Sequence, residues 1–301
     1  MAAPLFSCFD VRLASEVSLG ELTPADDPAD SRPVVQVRLG PVPEALPGAA
    51  EASFGLQARG ERALLAVPKT ARFLITAGSE IVVEPLPQAP ERNVRLFLLG
   101  SALGVLAYQR GLLPLHANAV VIDGVAHAFM GHSGAGKSTL AAHFARTGQR
   151  VLADDVCVVS FDAAGRPLAW PGLPRVKLWQ DAADALGEST ASLDRAVEGL
   201  EKFHLPIGAA QPAGPVPLAR LYTLARGESA IVPLGGAEAM AAVIANSYRG
   251  MYARILGREA EHFRNCALLC RHVRSFAATR TWGFDVFAAE AARLEAHLRS
   301  P

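Results

Sequence analysis

Val125-Ala126-His127-Ala128-Phe129-Met130-Gly131-His132-Ser133-Gly134-Ala135-Gly136-Lys137-Ser138-Thr139-Leu140 is the stretch on which the reading of this chain turns. The apolar run to Met130 reads as a buried strand, and Gly131 to Ser138 complete a G-x-x-x-x-G-K-[ST] phosphate-binding loop. Each fixed position has a chemical task. The glycines let backbone N–H groups close around a nucleotide's phosphates, Lys137 reaches the β- and γ-phosphates, and the Ser138 hydroxyl sits on Mg²⁺. Residues 137 to 147 read as a helix whose N-terminal dipole faces the phosphates, with Gly148 as its stop. This context predicts a nucleoside triphosphate site built from Gly131, His132, Ser133, Gly134, Ala135, Gly136, Lys137, Ser138 and Thr139. A glycine-rich turn that merely ends a strand is the weaker reading, because the chain holds only four lysines (Lys69, Lys137, Lys177, Lys202) and one stands where the motif needs it.

Working outward, Leu115 to Ile122 reads as a strand that Asp123-Gly124 joins to Val125–Met130 through a two-residue hairpin turn. Before it, Leu96, Leu99, Leu103 and Leu106 recur at helical spacing and predict a helix from Asn93 to about Arg110, ended by Gly111. After the loop's helix, Arg150 to Val159 reads as one strand with Asp154 and Asp155 inside it. Adjacent carboxylates in an apolar strand are costly unless partnered. A bound Mg²⁺ and a substrate hydroxyl are such partners; an exposed strand end with the two side chains facing opposite ways is the alternative. Asp162 to Gly165 then turn the chain into a short strand ending near Trp170, so the sheet is expected to be mixed. Arg175, Lys177 and Lys202 are candidates for further positive charge on phosphates or substrate, against a default of solvated surface. The stretch Asp181 to Pro215 reads as a lid over substrate or as ordinary connecting chain.

Residues 1 to 92 have a different texture. Val34–Leu39, Ala63–Val67, Ala71–Thr76 and Glu80–Glu84 are strand candidates, punctuated by Pro, Gly, Asp and Ser, and Pro85, Pro87 and Pro90 form a stiff connector. The expectation is a small β-rich domain at 1–92, used for substrate docking or subunit contact, before a nucleotide-binding domain at 93–301.

Composition excludes some partners. Lys plus Arg and Asp plus Glu number 29 each, so no global field draws the chain to nucleic acid or to an anionic membrane. The first residues lack a basic stretch followed by a long apolar core, Leu96–Tyr108 is too short to span a bilayer, and four cysteines suggest reduced thiols; a cytoplasmic protein is expected. His262, Cys266 and Cys270 are spaced four apart, with His272 two residues on. They would share a helix face, yet Phe263, Ala267, Leu268 and Leu269 around them favour packing over a metal site. His127, like His132 within the loop, carries no motif that gives it a role.

The segment Leu113 to Val159 resembles the kinase domain of the HPr kinase/phosphorylase family, most closely its relatives associated with lasso-peptide biosynthesis. The residues that carry this are Leu113-Pro114-Leu115-His116-Ala117-Asn118-Ala119-Val120, the loop Gly131–Thr139, and Leu152-Ala153-Asp154-Asp155-Val156. Leu98-Leu99-Gly100-Ser101, Gln109-Arg110-Gly111 and Pro174-Arg175-Val176-Lys177-Leu178-Trp179 extend it. The resemblance implies an α/β fold: a P-loop kinase domain of the HPr kinase / phosphoenolpyruvate carboxykinase type with a mixed sheet, preceded by the small β-rich domain. It implies transfer of the γ-phosphoryl group of ATP, with Mg²⁺, to a serine hydroxyl. On it, Lys137 stabilises the moving phosphoryl, Asp154 takes the serine proton, Ser138 and Asp155 hold Mg²⁺, and His116 stands near the acceptor. The long signature stretch that HPr kinase/phosphorylases carry after the carboxylate pair is missing, so a peptide or other small acceptor is expected in place of HPr. A homo-oligomer is also implied. Two further readings stay open: a kinase of a small-molecule hydroxyl, and an ATPase or GTPase switch without a phosphorylated product. No Asn-Lys-x-Asp or Leu-Ser-Gly-Gly-Gln motif supports the latter.

Overall fold

The computed structural model describes residues 3–49, 55–191, 193–196, 200–207 and 211–300. The fold is mixed α/β, and the chain divides into two compact units: residues 1–114 with 249–264, and residues 115–248 with 265–301.

The first unit is built on eight strands: β1 (Leu5–Cys8), β2 (Val11–Ser15), β3 (Thr23–Pro24), β4 (Val34–Leu39), β5 (Leu56–Arg59), β6 (Arg62–Val67), β7 (Ala71–Thr76) and β8 (Glu80–Pro85). They form one sheet in the order β3-β1-β2-β4-β8-β7-β6-β5, with β4 parallel to both its neighbours and the other pairs antiparallel. The four strand candidates are β4, β6, β7 and β8. In β7 the period of two is plain: Ala71, Phe73 and Ile75 are buried while their neighbours are less so. The predicted helix consists of α1 (Glu91–Phe97), a π-helical turn (Leu98–Ala102) and α2 (Leu103–Gln109), and left-handed Gly111 follows it (φ 73°). The change of texture at 92/93 falls inside this unit, which runs on to residue 114.

In chain order the remaining elements are β9 (Leu113–Leu115), β10 (Ala117–Ile122), β11 (Val125–Met130), α3 (Lys137–Arg146), β12 (Arg150–Ala153), β13 (Cys157–Phe161), β14 (Pro167–Ala169), β15 (Arg175–Trp179), α4 (Gln180–Ala185), β16 (Lys202–Pro206), β17 (Val216–Arg226), β18 (Ala230–Leu234), α5 (Gly236–Ala245), α6 (Met251–Ile255), α7 (Glu259–His272), β19 (Arg274–Arg280) and α8 (Phe284–Leu298). Of these, α6 and the starts of β9 (113–114) and α7 (259–264) belong to the first unit. The second unit's sheet runs β12-β10-β11-β17, with β19 also on β17 and β18 on β19. Antiparallel β10 lies between β11 and β12, while β11, β17 and β19 are mutually parallel. Consequently β12, β11, β17 and β19 all end at the same edge of a mixed sheet. Helices α3 and α8 and the ribbon β15–β16 cover one face through a core that includes Phe129, Leu140, Phe144, Val176, Tyr222, Phe276 and Leu294.

Two single-strand expectations need correction. The stretch Arg150–Val159 is not one strand: β12 stops at Ala153, and β13 pairs antiparallel with β14 instead. Between them Asp155 takes a left-handed conformation (φ 73°), which cannot continue a strand ladder. Similarly, Leu115–Ile122 breaks at His116, whose N–H donates to the Asn246 carbonyl at 2.7 Å. The hairpin turn is as expected, with Asp123 and Gly124 both at positive φ (51° and 80°). Parts of the Asp181–Pro215 stretch (192, 197–199 and 208–210) lie outside the described residues. Among the described residues no group of three or more His, Cys, Asp or Glu side chains is arranged to hold a metal ion, and His262 packs edge-on against Tyr108, ring centroids 5.8 Å apart. No helix among the described residues is long and apolar enough to cross a membrane.

Candidate active site

Strand β11 delivers the chain into the glycine loop, and α3 starts at Lys137. Glycine is required at two loop positions by both conformation and space. At Gly131 (φ 137°) a Cβ would fall 2.7 Å from the Leu224 carbonyl oxygen; at Gly136 (φ 79°) it would fall 2.5 Å from Arg280 Nη2. The Gly131 N–H donates to Asn246 Oδ1 at 2.9 Å, which ties the start of the loop to the residue after α5. Lys137 is buried, and its Nζ donates to the carbonyls of Gly131 (2.6 Å) and His132 (3.2 Å). Burial lowers its pKa, opposed by the charges of Asp155 and Asp154.

Asp154, directly after β12, is almost wholly buried, at 6% exposure. Ser138 Oγ donates to its Oδ1 at 3.0 Å, Asn118 Nδ2 donates to the same oxygen at 2.6 Å, and the Lys177 backbone N–H donates to Oδ2 at 2.7 Å. Burial raises its pKa, and the neighbouring Asp155 charge raises it further, against the pull of Lys177 and Ser138. Three donors are what a buried carboxylate needs to remain tolerable.

Asp155 faces a different environment. Lys177 Nζ donates to its Oδ2 at 2.9 Å, His116 Nδ1 lies 3.3 Å from Oδ1 and 3.0 Å from its carbonyl oxygen, and its own N–H donates to Asn118 Oδ1 at 3.3 Å. Burial is the largest single influence on its pKa and acts upward, but Lys177, His116 and Lys202 together outweigh it and hold the carboxyl at about 2. His116 is pushed down, first by burial and against the pull of Asp155, so its ring stays neutral at neutral pH. Since both neighbours of Nδ1 are acceptors, Nδ1 carries the proton and Nε2 is left as an acceptor.

These groups converge on a cavity of about 550 Å³ contained in the second unit. Of the residues expected from sequence, His116, Ser133, Gly134, Gly136, Lys137, Ser138, Thr139, Asp155, Lys177 and Lys202 line it. Gly131, His132 and Ala135 shape the loop without lining the cavity, and Asp154 reaches it only through the lining residues Ser138, Asn118 and Lys177. Arg175 also lies off the wall: it is buried, with Nη1 3.1 Å from His204 Nδ1. Lys202 sits over the Trp179 ring, 5.6 Å from its centroid. His127, on β11, is buried, and that burial lowers its pKa to about 4.

Several residues on or near this wall were not singled out by sequence reasoning. Asn118 bonds to both carboxylate residues; it stands in the Leu113–Val120 stretch that carries the resemblance, but was given no role there. Asn246 had no signal. Arg226, Arg280 and Trp282 come together only because β17 and β19 pair, Arg226 opposite Arg280.

No family model matches this chain, and no curated protein matches it in sequence. Among solved structures it is similar to the Hpr(Ser) kinase/phosphatase from Coxiella burnetii, at 12% identity and a TM-score of 0.33, over 62% of this chain and 97% of that one. The chemistry of the site therefore rests on its own residues.

Proposed function

We propose that this chain is an ATP- and Mg²⁺-dependent kinase that transfers the γ-phosphoryl group to a serine hydroxyl of a peptide or protein, ribosomal precursor peptides being the first acceptors to test. The observation that carries the reading is the Ser138–Asp154 hydrogen bond beside Lys137, with Asp155 facing the same cavity. In phosphate-loop enzymes the loop hydroxyl and a strand-end aspartate hold Mg²⁺ together. Ser138 and Asp154 offer two hard oxygen donors side by side, which suits Mg²⁺. When bound, the ion supplies charge neutralisation at the β- and γ-phosphate oxygens.

The geometry favours exchanging the roles first expected for the two aspartates. Asp154 lies off the cavity wall and is engaged at both oxygens, which fits anchoring Ser138 and the metal. Asp155 lines the cavity as a carboxylate, which fits receiving the acceptor hydroxyl. A base this weak is adequate because the transition state is loose: the hydroxyl must be oriented first and gives up its proton late. Lys177 and His116 hold the Asp155 side chain in place, and Lys137 supplies charge to the phosphates.

The test is transfer from γ-labelled ATP to candidate peptides and to their serine-to-alanine versions. Asp155→Asn is expected to lower transfer by about 10²- to 10⁴-fold with nucleotide binding kept. Asp154→Asn is expected to weaken Mg²⁺-dependent nucleotide binding itself. Normal transfer by Asp155→Asn would sink the exchange of roles. Hydrolysis with no labelled peptide would move the assignment to a small-molecule kinase or an ATPase switch.

A further inference from the structure

Strand β11 lies centrally in its sheet. The end of β12, with Asp154 and Asp155, is two strands away on one side; the end of β19, with Arg280, is two strands away on the other. Four spacings between paired strands put these flanks roughly 20 Å apart across the phosphate loop. The first flank holds the groups assigned to chemistry. The second has no part in that assignment, and its composition is unlike the first.

Arg280 is 5% exposed, lines the cavity, and donates from Nη2 to the Ala135 carbonyl in the loop at 2.6 Å. Its Nε has no hydrogen-bond partner among the described residues, and the opposing charge that acts on it, Glu290, is itself ion-paired to Arg293 at 2.9 Å. A buried guanidinium that shares its counter-charge with another arginine is incompletely compensated, which is costly. Next to it the indole of Trp282 lies 3.4 Å from where a Cβ of Gly136 would stand. The Arg226 guanidinium is stacked on this ring, 3.8 Å from its centroid, yet the residue stays 48% exposed at the cavity wall. Phe284 beside it is 50% exposed. A tryptophan held by a cation–π contact and left half open to a cavity is a preformed stacking surface.

We propose that the Arg280–Phe284 segment is the nucleoside-reading element of the site, with Trp282 stacking the base of a nucleoside triphosphate and Arg280 facing the phosphate nearest the ribose. The inference rests on the reading of Gly131–Ser138 as a nucleotide site and adds the direction in which the nucleotide lies. If the γ-phosphate belongs at Lys137, Ser138 and Asp155, the nucleoside extends away from them, and the opposite flank is where an aromatic face and an incompletely compensated cation wait. Every base has a π-face, so the platform alone favours nucleotides in general and a large purine most.

Calorimetric titration of the full chain with Mg-ATP and with Mg-tripolyphosphate separates the possibilities. Trp282→Ala is expected to lose roughly ten- to hundred-fold in ATP affinity and none for tripolyphosphate, which has no base. Trp282→Phe should recover most of the loss, since it keeps a ring. Equal loss for both ligands would mean a merely structural role, and unchanged ATP affinity would mean no base contact; either overturns the proposal. Unchanged ATP affinity with a raised KM for an acceptor peptide would overturn it too and give the ring to the acceptor. Wild type that binds neither ligand would overturn the nucleotide reading itself, and this inference with it.

Discussion

On the carboxylate flank of the phosphate loop each charged group meets a partner from the chain: Asp154 has Ser138, Asn118 and the Lys177 amide, and Asp155 has Lys177 and His116. On the aromatic flank a buried guanidinium has an unpartnered Nε and shares the Glu290 charge with Arg293, and an indole stands half exposed. Internal pairing holds groups rigid in a fixed charge state, which is what a step dominated by positioning and electrostatics needs. Unpaired and exposed groups have free energy left to gain from a ligand, which is what binding needs. The comparison therefore predicts that Asp155 and its partners govern rate and the second flank governs affinity, with Asp154 acting on affinity through the metal.

The sharpest contrast sets Asp155→Asn against Trp282→Ala: kcat should fall with affinity kept in the first, and affinity should fall with kcat largely kept in the second. Single-turnover and titration data on the two variants decide it, and matching profiles would dissolve the comparison. Lys137→Ala, between the flanks, is expected to reduce transfer by about 10²- to 10³-fold, since it removes a charge aimed at the moving phosphoryl. Unchanged transfer would remove the phosphate loop from the chemistry. Asn118→Ala should be milder. It strips one donor from a buried carboxylate and is expected to cost about 1–3 kcal/mol of stability, read as a lowered urea midpoint. Its kcat should fall more than its KM rises, because both aspartates lose the amide that aligns them.

The smallest effect is the acid profile. The Asp155 carboxyl is held at about 2 against an ordinary 3.8, so its contribution to stability is present above 3.8 and is lost as pH falls towards 2. Asp154 runs the other way: burial raises its pKa, so the ionised form costs stability and that cost disappears as pH falls. Urea midpoints between pH 5 and 2 should therefore fall less steeply for Asp155→Asn than for wild type, on the order of the Asp155 shift alone. An identical slope would show that Lys177 and His116 do not hold that carboxylate.

Much of the loop flank was legible in advance. Local signals carry it: glycines where φ is positive or space is short, a lysine and serine at set offsets, and an Asp-Gly hairpin turn. The carboxylates were legible as a pair but not in their placement. Which of Asp154 and Asp155 faces the cavity depends on the left-handed turn at Asp155 and on Asn118, and neither has a period or spacing to show it. The break in the expected strand has the same origin, since an apolar run with two charges reads equally as one strand or as two meeting at a corner.

By itself the sequence determined that a glycine loop follows a strand and precedes a helix, because those features are set by residues within about ten positions of one another. Only tertiary structure decided what stands on either side of that loop. Arg226, Arg280 and Trp282 lie 95 to 151 positions beyond Gly131, and they reach it because β17 pairs with β11 and β19 with β17. Strand order is a property of the folded sheet, and no local propensity encodes it.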